Sequence, residues 1–340
     1  MKKRFLSAMM AMGLVLIFVS FVSAQQIVFK LGHVAPPQQI QGKSSTFFKN
    51  YVEEKTKGAV KIEVYPLGQL GGQRALMDAV LAGTLDMAPA GAPLLATVVP
   101  EFNALCLPFV VANEDIFWDV VQDKEFRDKT FAIVRKKGVE SFGFTDVCGR
   151  GFLNKKRPVR TPDDLKGINM RVMEGSIYTD MWRAMGANTR TIPFPELYTA
   201  LQQGVVEGED NALDMANFMK FTEIEKHFTA TNQTMQTNLL IMASASWNKL
   251  NDAQKKIFRE ASDAMEKYSQ EDFRKDKADA YRVAREQYKV ACIEDLSPAE
   301  RAAFRKTVAP VLEKYKKVIG DDYFTMFTAL AKKVEAKHIK

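Results

Sequence analysis

The residue with the plainest chemical demand in this 340-residue chain is Arg171. It sits in Gly167-Ile168-Asn169-Met170-Arg171-Val172, an apolar run that reads as a short strand over 168–172. A guanidinium inside a strand is costly unless its charge meets a partner. Its planar fork suits a carboxylate, held by two parallel charge-assisted hydrogen bonds. That carboxylate belongs either to an Asp or Glu of the chain itself or to a bound acid, and the residues alone leave both open. Further along, 193–211 reads as a proline-started helix, a Gly stop, a short strand and then Asn211 at the exit. An Asn side chain there can donate to a carboxylate without adding charge.

Enzyme chemistry finds little support. The three histidines are His33, His227 and His338. His338 lies at the C-terminus, where disorder is expected, and His227, within Glu225-Lys226-His227-Phe228, reads as a surface or partly packed residue. His33 ends a strand and enters a loop, the place where open α/β sheets meet ligands. There is no G-x-S-x-G elbow, no zinc-like His/Cys spacing and no EF-hand loop. Gly68-Gln69-Leu70-Gly71-Gly72 lacks the Gly-Lys-Ser/Thr of a Walker loop. Paired-carboxylate chemistry keeps one candidate cluster, Glu207, Glu209 and Asp210. The expectation is a binding protein without cofactor or metal.

Seven segments, in order along the chain, resemble the substrate-binding subunits of tripartite ATP-independent periplasmic (TRAP) transporters, the DctP-like family. They are Leu31-Gly32-His33, Tyr65-Pro66-Leu67-Gly68-Gln69-Leu70-Gly71-Gly72, Ala82-Gly83-Thr84-Leu85-Asp86-Met87, Leu107-Pro108-Phe109, Lys166-Gly167-Ile168-Asn169-Met170-Arg171-Val172, Met185-Gly186-Ala187-Asn188, and 193–211. The resemblance implies a two-lobe α/β binding protein (type II-like), with a ligand cleft between the lobes and a long helix spanning both. It implies a small organic acid as ligand and membrane permease subunits as partners. It puts Arg171 and Asn211 on the ligand carboxylate and Arg150 at a second basic contact. His33, Gln73 and Arg74 fall in first-lobe loops that face the rest of the ligand, Phe194 and Trp182 are candidate walls, and Asp214 joins the set just beyond Asn211. One segment departs from the family, which commonly has Gln-Glu-Asn-Pro where this chain has Glu209-Asp210-Asn211-Ala212. Asn211 is kept; the rim of the pocket is altered.

The elements that must position these residues alternate. Strands are expected at 27–33, 60–65, 85–88, 139–145 and 168–172, and helices at 42–57, 73–82, 114–137 and 176–185. That rhythm implies α/β layers with a mostly parallel sheet. Residues 251–290 contain no Gly or Pro and read as one long helix, and 297–340 as two helices broken near Gly320. Ser297-Pro298-Ala299-Glu300 has the cap, the proline and the third-position Glu of a helix start.

At the other end, Lys2, Lys3 and Arg4 precede an apolar stretch over 5–22 that closes on Val22-Ser23-Ala24. This is the pattern of a cleaved secretory signal and places the mature chain, from Gln25, in the periplasm; an uncleaved anchor is the competing reading. The expected division is a first lobe of 25–147 plus 237–276 and a second of 148–236 plus 277–340. Without the signal the charge is 45 basic against 41 acidic residues, interspersed as on a solvated surface, which argues against nucleic acid as a partner. Cys106, Cys148 and Cys292 leave at least one thiol unpaired, and the sequence does not choose a pair.

Overall fold

The computed structural model describes residues 26–338, so the expected signal segment lies outside the described residues. The first sheet contains β1 (Ile27–Gly32), β2 (Val60–Tyr65), β3 (Met87–Gly91) and β4 (Val139–Gly149). The second contains β5 (Gly151–Asn154), β6 (Asn169–Val172), β7 (Asn188–Thr191), β8 (Gly208–Asn211), β9 (His227–Thr229) and, late in the chain, β11 (Ala291–Ile293). Strand β10 (Met235–Ala243) returns to the first sheet, giving the orders β2-β1-β3-β10-β4 and β11-β9-β5-β8-β6-β7. The helices of eight or more residues are α1 (Ile40–Lys55), α2 (Gln73–Leu81), α3 (Glu114–Gln122), α4 (Lys124–Arg135), α5 (Ser176–Ala184), α6 (Asp252–Glu286), α7 (Pro298–Ile319) and α8 (Asp321–His338).

The sheets are mixed rather than mostly parallel. β10 runs antiparallel to both β3 and β4, and β5 antiparallel to both β8 and β9. The reason is that the chain leaves the first sheet through β4 and re-enters it through β10. These two paired strands cannot both run with the βαβ set.

The passage from β4 to β5 takes place at Arg150, between two glycines. A Cβ on Gly149 would stand 2.3 Å from Asn232 Oδ1, and one on Gly151 would stand 2.2 Å from the Phe228 ring. A Cβ on Gly151 would also stand 2.8 Å from the Thr229 carbonyl oxygen, so that approach requires glycine, whereas at Gly149 the Asn232 side chain would have to give way. Two residues further back, β4 carries a bulge. Its partners on β10 step from Cys148↔Gln236 to Thr145↔Asn238, so Asp146 and Val147 together oppose Thr237. Asp146 absorbs the extra residue with φ +60°, a left-handed conformation that Asp tolerates better than most residues.

Helix α6, 35 residues and roughly 50 Å long, runs past both sheets. It packs on α1 and β4 at one end and on the short helix Leu213–Phe218 at the other. Phe258 of α6 meets Phe29 and Phe48 edge-on, with ring centroids 6.1 and 5.6 Å apart, and Phe142 joins the same buried cluster. Toward the C-terminus, α7 packs on both the 3-10 turn Pro100–Cys106 and α5, while α8 packs on α3.

Two local expectations are corrected. The single helix expected over 114–137 is two, because Asp123 ends α3 and caps α4, its carboxylate accepting from the Phe126 amide at 3.1 Å. His338, expected to be disordered, ends α8 with its Nε2 2.8 Å from an Asp119 carboxylate oxygen. The three cysteines are free thiols, Cys106 and Cys148 buried and Cys292 half-buried.

Candidate functional site

A cleft opens where the two sheets meet, lined by residues from both. Its polar lining comes from Gln41, Gln73, Asp146, Arg150, Arg171, Asn211, Asp214 and Gln236. Apolar walls are supplied chiefly by Ile40, Met173, Phe194, Met215 and Phe273.

The two arginines are held differently. Arg150 is buried with Asp210; its Nε donates to Asp210 Oδ2 at 2.6 Å and its two terminal nitrogens to the Asp210 carbonyl and to Gln236 Oε1. Gln233 adds a bond to the same Asp210 oxygen at 3.1 Å. Every nitrogen of Arg150 thus has a protein acceptor. The residue expected to offer a second basic contact lines the cleft, but as one half of a buried internal pair.

Arg171, only 3% exposed, spends its Nε on the Ile192 carbonyl at 3.0 Å. Its nearest acid is Glu209, whose carboxylate stands 3.7 Å from Nη1, in ion-pairing range but too long for a hydrogen bond. Among the described residues no acceptor hydrogen-bonds its terminal nitrogens. Burial drives the guanidinium pKa below its ordinary value, with the Glu209 charge opposing. Glu209 is itself raised, first by burial and then by neighbouring Asp210, against Arg171 and Arg150. Fully buried Glu225, raised chiefly by burial, lies beside it. Period-two alternation along β8 puts Asn211 on the same face as Glu209, and its Nδ2 lies 3.3 Å from a Glu209 oxygen.

The remaining expected residues separate. Gln73, Phe194 and Asp214 line the cleft. Arg74 lies in a wider outer mouth shared with Arg171 and Phe194 and is bound across it, Nε to Glu174 Oε1 at 2.9 Å and Nη1 to Thr97 at 3.1 Å. It bridges the mouth rather than facing the inner cleft. Because both members of that pair are partly exposed, it is worth about 0–1 kcal/mol. Arg74→Ala is therefore expected to change ligand affinity by less than about fivefold, measured by titration calorimetry.

Trp182 is fully buried against Phe152, ring centroids 5.2 Å apart, and belongs to the core, not to a pocket wall. His33 is also outside the cleft lining, 1% exposed, and burial lowers its pKa to about 4, which leaves it neutral. Sequence reasoning missed Gln41, Asp146, Gln236 and Phe273. Of these only Asp146 had a signal, and a weak one, an acid directly after the strand expected over 139–145, which the structure extends to Gly149.

The family model "Bacterial extracellular solute-binding protein, family 7" (DctP) matches residues 31–318. The chain belongs to this family. It is a solute-binding protein of the TRAP transporter type, not an enzyme. The C4-dicarboxylate-binding periplasmic protein DctP of Rhodobacter capsulatus is 28% identical over 302 residues, covering 87% of this chain and 89% of its own length. Two crystal structures of TRAP periplasmic solute-binding proteins superpose on most of this one. One, from a Polaromonas species and bound to D-erythronate, has a TM-score of 0.84 and 27% identity, covering 89% of this chain and 99% of its own. The other, from Ralstonia eutropha and bound to (S)-2-acetolactate, has a TM-score of 0.85 and 28% identity, covering 90% and 99%. In this family 7 protein, among the described residues, no helix is long and apolar enough to cross a membrane.

Proposed function

We propose that this family 7 protein captures one small organic acid by seating the acid's carboxylate on the terminal nitrogens of Arg171, with Asn211 beside it. The observation that carries the reading is a buried guanidinium at the wall of a cleft, with, among the described residues, Nε alone hydrogen-bonded. Leaving a buried charge so poorly matched is costly, and an incoming carboxylate would supply two short charge-assisted bonds. Arg150 holds its place in the wall through Asp210 and acts by positioning β5 and β8. The relatives' ligands, erythronate and acetolactate among them, share a single feature with this requirement, the carboxylate.

The two sheets with their helices form the cores of two lobes joined at Arg150, at 230–234 and along α6, and hinge closure over the acid excludes water. After cleavage of the segment over 1–24 the protein works in the periplasm. There the closed, loaded form delivers the acid to the membrane permease subunits of a TRAP transporter. A thermal-shift screen of the purified protein against organic acids and their neutral amides tests this reading. A ligand at 100 times its dissociation constant stabilises by about 2.7 kcal/mol, several degrees in Tm. Stabilisation by acids and not by the matching amides is expected; equal stabilisation by both would remove the carboxylate from the account.

A further inference from the structure

The cleft lining contains two acids, Asp146 and Asp214, as well as two arginines. The acids stand on separate elements, the β4 bulge and the short helix Leu213–Phe218. The bulge at 146–147 shifts the register of β4 by one residue at that point. A one-residue shift exchanges the faces to which side chains point, so the bulge is the device that turns an acid out of the strand into the cleft. Asp146 is 9% exposed; its Oδ2 accepts from Asn238 Nδ2 at 2.7 Å, and among the described residues its Oδ1 accepts no hydrogen bond. Burial, and next the charge of Asp214, push its pKa up to about 7, with Arg150 and Asn238 opposing.

We propose that Asp146 and Asp214 are the specificity-determining residues of this cleft and that they select a monocarboxylate carrying a hydrogen-bond donor, a hydroxyl or a protonated amine, away from its carboxylate. The inference rests on the carboxylate reading of Arg171. Its charge argument is a count of available groups. Arg150 is committed to Asp210 and Gln236, so among the described residues of the lining Arg171 is the one guanidinium with terminal nitrogens to offer. Among the described residues of the lining, a second carboxylate on the ligand would find no further cation and would meet two acids. Like charges brought together without water between them repel strongly, and specificity arises as much from such rejection as from attraction. A hydroxyl or ammonium in the same place donates to the open oxygen of Asp146.

The test compares ligands of one carbon skeleton by titration calorimetry: γ-hydroxybutyrate, γ-aminobutyrate and succinate, and likewise gluconate and glucarate. In the wild-type protein the monoacid with a distal donor is expected to bind at least tenfold tighter than the diacid of the same skeleton. The hydroxyl and amine arms tell which donor is preferred. Asp146→Asn and Asp214→Asn, each shown to be folded by circular dichroism, are expected to narrow that ratio by strengthening the diacid. The wild-type ranking stands as a test even if a variant fails to fold. Diacids that equal or exceed their monoacids in the wild-type protein, or a ratio unmoved in both folded variants, overturn the proposal and leave carboxylate capture standing. Binding indifferent to Arg171→Ala, or no acid bound at all, overturns carboxylate capture and this inference with it.

Discussion

Arg171→Ala is expected to weaken binding of the acid by at least thirtyfold, while the protein stays folded. Truncating one partner of a buried, hydrogen-bonded charge pair costs roughly 2–5 kcal/mol, and the lower figure is already about thirtyfold in affinity. Fold survival is expected because, among the described residues, the Arg171 side chain makes one hydrogen bond to the protein, to the Ile192 carbonyl. Its acidic neighbour Glu209 is already raised in pKa by burial and answers the loss by taking up a proton. Arg171→Lys provides the sharper comparison. It keeps the charge but loses the planar fork, and a substitution of this kind at a bidentate site is not conservative. Calorimetric titration of both variants with the best-binding acid checks the result. Lysine restoring full affinity would mean that charge alone, and not the paired geometry, holds the ligand.

Arg150→Ala is expected to act on stability instead, lowering it by about 3–5 kcal/mol, a large part of the 5–15 kcal/mol typical of a domain. The substitution would strand the Asp210 carboxylate, fully buried, one oxygen of which is already without a partner. It would also remove the bonds that fix the β4-to-β5 passage against β8 and β10. Removing both charges, as in Arg150→Met with Asp210→Asn, is expected to cost less than the sum of the single changes, because neither partner is left ionised and alone. Denaturant midpoints with unchanged slopes measure all three. Additive losses would show that the two residues do not act as a pair.

The contrast between these arginines marks where sequence reading ends. Both are basic residues beside short apolar strands, and the family resemblance put both on the ligand. What separates them is the direction of Asp210, and along a strand that depends on alternation and register, which become definite only once β5 and β8 are paired. Arg171 and Asn211 were legible because an arginine in an apolar strand and an amide at a strand exit are anomalies of type. Asp146 lies just past the strand expected over 139–145, and its side chain enters the cleft through a bulge, which is a property of two strands read together. Arg74 and Trp182 lie outside the inner cleft for opposite reasons. The arginine meets Glu174, a hundred residues away, and the tryptophan fills space beside Phe152. Alternating segments showed the α/β class, and a stretch free of Gly and Pro showed α6. Direction of strands was hidden, because the antiparallel entry of β10 follows from where the chain must cross and not from its composition. Asp123 likewise suits a helix surface as well as a cap, so the division of α3 from α4 left no mark in the periodicity.

The most direct test of the central claim is a crystal structure of the protein with the acid that stabilises it most. The account predicts the carboxylate on Arg171, its two oxygens about 2.7–2.9 Å from the terminal nitrogens, Asn211 alongside, and Arg150 still bonded to Asp210. A carboxylate seated elsewhere in the cleft, or Arg150 released from Asp210 to hold it, would contradict the account.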